Sequence, residues 1–165
     1  MGNIFKCLCF GCLPDCLKLR CIEKKKYSFP FKRYKTFVQE VIDGDTFHIT
    51  FFVEKTPVTM KIRLIGIDAP EMSSKNPLEK KASEMLTKYL KQRLEGKYFD
   101  CELFKWDKYG GRVIGHLYMR KNYSISDILI SRKLVKCYEG NKKEEWTNDE
   151  LTHIYNFDYA NMKLK

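Results

Sequence analysis

Apolar and polar residues alternate along much of the chain, which predicts short strands that are buried on one face. The clearest run follows Asp45, where threonine and histidine side chains share one face and apolar side chains share the other, namely Phe47, Ile49, Phe51 and Val53. Similar apolar runs between turn-forming residues predict four more strands, over residues 36–42, 58–67, 97–104 and 112–119.

Helical spacing replaces this alternation in three places. Asn76-Pro77-x-Glu79 is typical of a helix start, and Gly96 is a suitable terminator. The apolar stripe between them consists of Ala82, Met85, Leu86, Tyr89 and Leu90. A second helix is predicted over residues 124–132 and a shorter one after Glu144. Five short strands, with helices on a mostly antiparallel sheet, predict an α+β fold built on a small closed barrel.

Length and charge divide the 165-residue chain into two unequal parts. Residues 1–35 carry nine Lys/Arg and two Asp/Glu, a net charge of +7, whereas residues 36–165 carry 22 and 19, a net charge of +3. We therefore predict a basic arm over 1–35 and one folded domain over 36–165. Five of the seven cysteines lie in the arm. An odd, clustered set is a poor disulfide framework and indicates a reducing compartment.

The arm has the features of a lipid anchor. Gly2 follows the initiator methionine, although Lys6 replaces the Ser or Thr of the myristoylation pattern. Cys7 and Cys9 are candidate palmitoylation sites, and the basic residues around 24–35 suit an anionic membrane surface. These features predict attachment at the cytoplasmic face of a membrane. A cysteine-bound zinc ion, a disordered basic tail and a soluble cytoplasmic protein stay open as alternatives.

Three carboxylates and an arginine lie at the ends of two apolar strands. Asp45 follows the Asp43-Gly44 turn, Arg63 lies in the strand 58–67, and Asp68 and Glu71 come directly after it. Burying a carboxylate without a partner costs several kcal/mol, so core stability does not explain this group. Converging carboxylates suit a hard cation, and the neighbouring arginine suits an anion. Together they favour chemistry on a phosphate ester.

Several motifs, in one order and at compatible spacing, extend this picture. The turn at 43–46, the segment from Ile62 to Glu71 and the Asp107-Lys108-Tyr109-Gly110 turn that leads to Arg112 are three of them; a helix over 124–132 and the segment 134–138 follow. In these features, over about residues 36–140, the chain resembles the staphylococcal nuclease (thermonuclease) family. The resemblance implies a five-stranded OB-type barrel with three helices, and calcium-dependent hydrolysis of phosphodiester bonds in DNA and RNA.

The resemblance also implies individual roles. Asp45, Asp68 and the backbone carbonyl of Ala69 match Ca²⁺ ligands. Arg63 and Arg112 match the arginines that bind the scissile phosphate, and Glu71 matches the residue usually assigned as general base. Lys108, Tyr109 and Tyr138 lie near positions that line the nucleotide groove.

Two departures from the family pattern change local structure. Gly111 lengthens the turn before Arg112 by one residue, and Lys133 stands where the family often ends a helix with glycine. A left-handed lysine there costs roughly 1 kcal/mol.

Two other function classes remain open at this point. One is a non-catalytic barrel that binds single-stranded nucleic acid, and the other is a membrane-bound scaffold. Neither alternative explains why the chain carries two arginines and three carboxylates at these positions.

Overall fold

The fold was described from a computed structural model, which covers Phe29 and residues 33–108, 110–140, 143–162 and 164. The predicted arm up to residue 28, with Gly2, Cys7 and Cys9, and the predicted groove residue Tyr109 lie outside the described residues. Within the described part the fold starts before residue 36. Phe29 is buried with its ring 5.6 Å from that of Trp106, and the first strand begins at Arg33.

Five long strands form a closed barrel. Their order is β3-β2-β1-β5-β6, and parallel pairing of β3 with β6 closes it, while the other neighbours are antiparallel. These strands are β1 (Arg33–Val41), β2 (Thr46–Val53), β3 (Thr56–Leu64), β5 (Tyr98–Trp106) and β6 (Val113–Arg120). Three two-residue strands complete the sheets: β4 (Ile67–Asp68), β7 (Tyr123–Ser124) and β8 (Lys136–Cys137). The predicted α+β class and OB-type barrel are confirmed.

The barrel interior follows the predicted alternation of β2. Phe47, Ile49 and Phe51 are buried, as are Ile62 of β3 and Leu117 of β6. The polar face is less simple, because Thr46 is also buried and its Oγ1 donates a 2.7 Å hydrogen bond to Asp45 Oδ1. The strand therefore begins inside the candidate site and not on an open surface.

The predicted third strand is interrupted, which corrects its continuity over 58–67. β3 ends at Leu64, the chain turns at Gly66 with a φ of +79°, and Ile67 and Asp68 pair with β8 in a separate two-stranded sheet. Glycine tolerates this φ because it has no Cβ. The turn brings Asp68 back beside Arg63, which lies five residues earlier.

The part of the chain that the structure describes contains three helices outside the barrel. They are α1 (Pro77–Leu94), α2 (Ile125–Ser131) and α3 (Asn148–Tyr155). Asn76 caps α1 as predicted, and Gly96 has a φ of +73° after its end. α2 and α3 begin with reciprocal caps at Ser124 and Thr147. None of the helices that the structure describes has both the length and the apolar run that a membrane crossing requires.

The segments that follow α2 and α3 connect the carboxy-terminal third of the chain to the rest of the fold. Lys133 adopts a φ of +57°, the left-handed conformation expected for a residue in a glycine position. Leu151 and Ile154 of α3 are buried, and α3 lies against α1. Beyond it, the carbonyl of Met162 accepts a 3.1 Å hydrogen bond from the Tyr89 hydroxyl of α1.

Candidate active site

The turn between β1 and β2 holds Asp45 against β4. The backbone N–H of Asp45 donates to Asp43 Oδ1 at 3.0 Å, and the N–H of Ile42 donates to the Thr46 carbonyl. At Gly44 a Cβ would lie 2.6 Å from the Cβ of Ala69 and 2.9 Å from Leu86. Gly44 is therefore required for the close packing that places Asp45 near Asp68.

Arg63 joins the two aspartates. Its Nη2 lies 2.8 Å from Asp45 Oδ2 and 3.3 Å from Asp68 Oδ1. The side chains of all three residues are largely buried, with 12%, 5% and 6% of their surface exposed. A buried charge is tolerated when it is paired and hydrogen-bonded, so this triad stabilises its own geometry.

The charge on Asp45 is only partly compensated. Burial raises its pKa to about 6, and the neighbouring Asp43 and Glu71 act in the same direction, while Arg63 and the Thr46 hydroxyl oppose them. A carboxylate with a raised pKa gains from additional positive charge nearby. The site therefore favours a cation beside Asp45.

Glu71 is oriented from two sides. Its backbone N–H donates to Glu79 Oε1 at 3.0 Å, which holds the chain just before α1. Its own carboxylate is 2.6 Å from the ammonium of Lys143, which also lies 2.7 Å from Asp68 Oδ1. Burial alone would lower the pKa of Lys143, but the hydrogen bonds to Asp68 and Glu71 outweigh it and raise that pKa.

The second arginine is held by its own turn. Arg112 Nε lies 3.0 Å from Asp107 Oδ2, and the N–H of Gly111 donates to Asp107 Oδ1 at 3.2 Å. Gly110 absorbs the backbone reversal with a φ of +73°. The extra glycine therefore leaves Arg112 anchored at the base of the hairpin between β5 and β6.

The arginines face one cavity of about 410 Å³. Basic and aromatic side chains line most of it, and they include Arg63, Arg112, Lys105, Lys108, Trp106 and Tyr138. Lys143 also lines it, and on its other side borders an acidic cavity of about 310 Å³ that contains Asp68, Glu71 and Glu79. A phosphate on the basic side would thus lie next to the carboxylates.

Most of the residues proposed from the sequence therefore come together. Arg63 joins Asp45 to Asp68, and Lys143 connects Asp68 to Glu71. The adjoining cavity is lined by Arg112, Lys108 and Tyr138. Ala69, the residue after Asp68, is also buried.

Three residues of the site, Lys143, Asp107 and Trp106, were not predicted from the sequence. Lys143 lies in a run of Lys and Glu with no periodic pattern, 72 positions from Glu71, so no local signal distinguishes it. Asp107 lies in a predicted turn and Trp106 ends β5, but the contacts that give them a role are made only in the folded hairpin. Asp107 and Arg112 lie five residues apart, on either side of that turn. This spacing was the one signal in the sequence for their contact.

The family comparison bears on the same residues. A model of the staphylococcal nuclease homologue family matches residues 61–157, which is more than half of the chain. The chain belongs to the staphylococcal nuclease homologue family. The matched range contains Arg63, Asp68, Glu71 and Arg112, whereas Asp45 precedes it and is connected to the site by geometry. No curated protein matches the chain significantly. Family membership indicates a nuclease or nucleic-acid-binding function.

The donor set fits a hard divalent cation. Among the residues that the structure describes, no three acidic, histidine or cysteine side chains converge as a metal site by themselves. However, Asp45 and Asp68 approach the same guanidinium nitrogen from two sides, and carboxylate and carbonyl oxygens are the ligands that Ca²⁺ prefers. The burial of Asp45, which Arg63 only partly offsets, supports the same conclusion.

Proposed function

We propose that this protein is a Ca²⁺-dependent nuclease that hydrolyses phosphodiester bonds of DNA or RNA with little sequence preference. The observation that carries the proposal is the position of Arg63, which touches both buried aspartates and also lines the cavity that Arg112 borders. A surface that only bound nucleic acid would gain affinity from cations alone. Buried carboxylates beside them are explained by catalysis.

The chain's own residues provide most of the required steps. Arg63 and Arg112 are placed to bind a backbone phosphate through charge-assisted hydrogen bonds, which strengthen as negative charge builds on the phosphoryl oxygens. Glu71 would accept or orient a proton of the attacking water. Tyr138, Trp106 and Lys108 would bind the neighbouring nucleotide by stacking and charge, which tolerates any base.

Asp45, Asp68 and the carbonyl of Ala69 would hold Ca²⁺. When bound, Ca²⁺ supplies positive charge to a phosphoryl oxygen and a site for water. A carboxylate must be ionised to bind a metal ion. Since burial raises the pKa of Asp45 to about 6, protonation of Asp45 below that pH should weaken cation binding.

The experiment is a digestion assay on labelled single-stranded DNA and RNA, with Ca²⁺ or with a calcium chelator. We expect cutting only with Ca²⁺, and a loss of about 10²-fold or more in rate for Glu71→Gln. Binding of the same oligonucleotide by Glu71→Gln should be close to that of the wild type. Strong binding without cutting by the wild-type protein, at any Ca²⁺ concentration, would instead identify a non-catalytic nucleic-acid-binding module.

We also propose that the arm attaches the enzyme to the cytoplasmic face of a membrane. The support comes from the sequence, which combines Gly2, Cys7 and Cys9 with a net charge of +7 over residues 1–35. One acyl chain binds membranes only weakly, so two signals are needed. Gly2→Ala should move the protein from the membrane to the soluble fraction of cells. Unchanged fractionation would exclude acylation at Gly2 as the anchor.

A further inference from the structure

Lys143 connects two residues to which separate roles are assigned. Its Nζ lies 2.7 Å from Oδ1 of Asp68, a proposed Ca²⁺ ligand, and 2.6 Å from Oε1 of Glu71, the proposed general base. Both distances are those of charge-assisted hydrogen bonds. While these hydrogen bonds are present, the ammonium neutralises part of the negative charge of both carboxylates.

Cationic side chains of the protein nearly balance the charges of the carboxylates in the site. Arg63 pairs with Asp45 and Asp68, and Lys143 pairs with Asp68 and Glu71, so two cations face three carboxylates. Asp68 Oδ1 serves both cations at once. If a divalent ion bound Asp68 while both of these pairs stayed in place, it would lie close to two positive side chains. One of the two side chains must therefore move away.

Lys143 is the neighbour that is able to move. Its side chain is 43% exposed, whereas that of Arg63 is 12% exposed and belongs to a barrel strand. Lys143 precedes α3, outside regular structure, and a lysine ammonium moves on four flexible methylene groups. It already borders the 410 Å³ cavity on its other side, so the ammonium has space to enter without displacing the backbone.

We propose that Lys143 is an internal counter-ion, which a divalent cation displaces from Asp68 and Glu71 when it binds. This inference rests on the proposed function, since it takes Asp68 as a metal ligand and Glu71 as the base. Before the metal binds, Lys143 neutralises part of the negative charge of Asp68 and Glu71. It also keeps Glu71 Oε1 paired with its ammonium until the cation is bound.

The test measures Ca²⁺ affinity by isothermal titration calorimetry on the full chain without substrate. Lys143→Met keeps a similar length and removes the charge, Lys143→Arg keeps the charge, and Lys121→Met changes an exposed lysine in the turn between β6 and β7. We expect Lys143→Met to bind Ca²⁺ about three- to tenfold more tightly than the wild type, which corresponds to loss of a partly exposed competing charge. Lys143→Arg and Lys121→Met should stay within about twofold of the wild type.

Thermal unfolding gives a readout that does not depend on activity. In chelator, Lys143→Met should unfold at a lower temperature than the wild type, because Asp68 and Glu71 lose their shared cation. Added Ca²⁺ should then raise its unfolding temperature by more than it raises that of the wild type. Equal or weaker Ca²⁺ affinity in Lys143→Met would overturn the exchange.

The outcomes separate the two proposals. If Lys143→Met and the wild type bind Ca²⁺ equally and both cut nucleic acid, the exchange is wrong and the nuclease proposal stands. If no variant binds Ca²⁺ and the wild type does not cut, the calcium-dependent function is wrong and the exchange fails with it.

Discussion

Arg63 and Arg112 have the same charge and line the same cavity, but they pair with different carboxylates. Arg63 is the partner of two buried aspartates, whereas Arg112 pairs with Asp107 at a site where 28% of the arginine side chain is exposed. Removing one partner of a buried ion pair leaves an uncompensated charge, and the cost is smaller where solvent reaches one member of the pair, as it reaches Arg112. Identical substitutions should therefore give different stability effects.

Arg63→Ala and Arg112→Ala form a matched pair for this prediction. Each should reduce the rate of cutting by about 10²–10³-fold, since each removes a donor to the developing phosphoryl charge. In chelator, Arg63→Ala should lose about 3 kcal/mol of unfolding free energy and Arg112→Ala about 1 kcal/mol or less. Urea denaturation measures the difference, and equal losses would show that the Arg63 triad is not a buried ion pair in solution.

Asp107 supports Arg112, and the effect should depend on pH. Burial would raise the pKa of Asp107, but hydrogen bonds and charge from Arg112 outweigh it and hold that pKa below its usual value of 3.8. The stabilisation is therefore complete above that usual value and is lost as the pH falls through the lower pKa of the folded state.

Asp107→Asn tests this pH dependence. We expect it to reduce the free energy of unfolding by about 1 kcal/mol at neutral pH, where the wild-type carboxylate is ionised. The difference should narrow in acid, once the pH has fallen through the lowered pKa of Asp107 in the folded state and the wild-type group is itself protonated. Urea denaturation at the two pH values measures it. A gap that stays constant in acid would mean that the charge on Asp107 does not cause it.

At the scale of elements, the site is set by two turns. The Asp43–Thr46 turn approaches β4 so closely that a Cβ at Gly44 would fall 2.6 Å from Ala69, while nothing lies within 4 Å of a Cβ at Gly111. Ala69 and Leu86 are both buried, so neither has room to withdraw. Glycine therefore has a packing role in the first turn that it does not have at Gly111.

Gly44→Ala and Gly111→Ala are the corresponding pair. Gly44→Ala should lower the free energy of unfolding by about 1–3 kcal/mol, as overpacking of a filled interior does. It should also weaken Ca²⁺ binding, because Asp45 shifts relative to Asp68. Gly111→Ala should change stability by less than about 0.5 kcal/mol. Calorimetric titration and urea denaturation measure both effects, and a neutral Gly44→Ala would contradict the packing of this turn.

These contrasts show which parts of the site the sequence could predict. Asp45, Arg63 and Asp68 were found because each lies at the end of an alternating run, where local pattern and chemistry coincide. The break after Leu64 was missed, since an apolar run continues through Ile67 and only pairing with β8 reveals two strands. Lys143 was missed for a similar reason, because its contacts join segments that no local periodicity connects.

The whole molecule depends on the carboxy-terminal third as well as on the barrel. Pairing of β4 with β8 fixes Asp68 beside Lys136, and the Lys136 ammonium reaches Glu150 of α3 at 3.0 Å. α3 in turn packs against α1, which begins just after Glu71. Docking of α3 thus stabilises the frame of the site without contributing a residue to its chemistry.

Leu151→Ala isolates this contribution, with Thr152→Ala as its control. Leu151 is fully buried, and its truncation should leave a cavity and cost about 2–5 kcal/mol of unfolding free energy, whereas exposed Thr152 should matter by less than about 0.5 kcal/mol. At temperatures where Leu151→Ala remains folded, its cutting rate should stay near that of the wild type, because Arg63, Arg112 and Glu71 are unchanged. Equal stability of the two variants would indicate that α3 does not dock. A rate loss in the folded Leu151→Ala protein would mean instead that α3 positions the site directly.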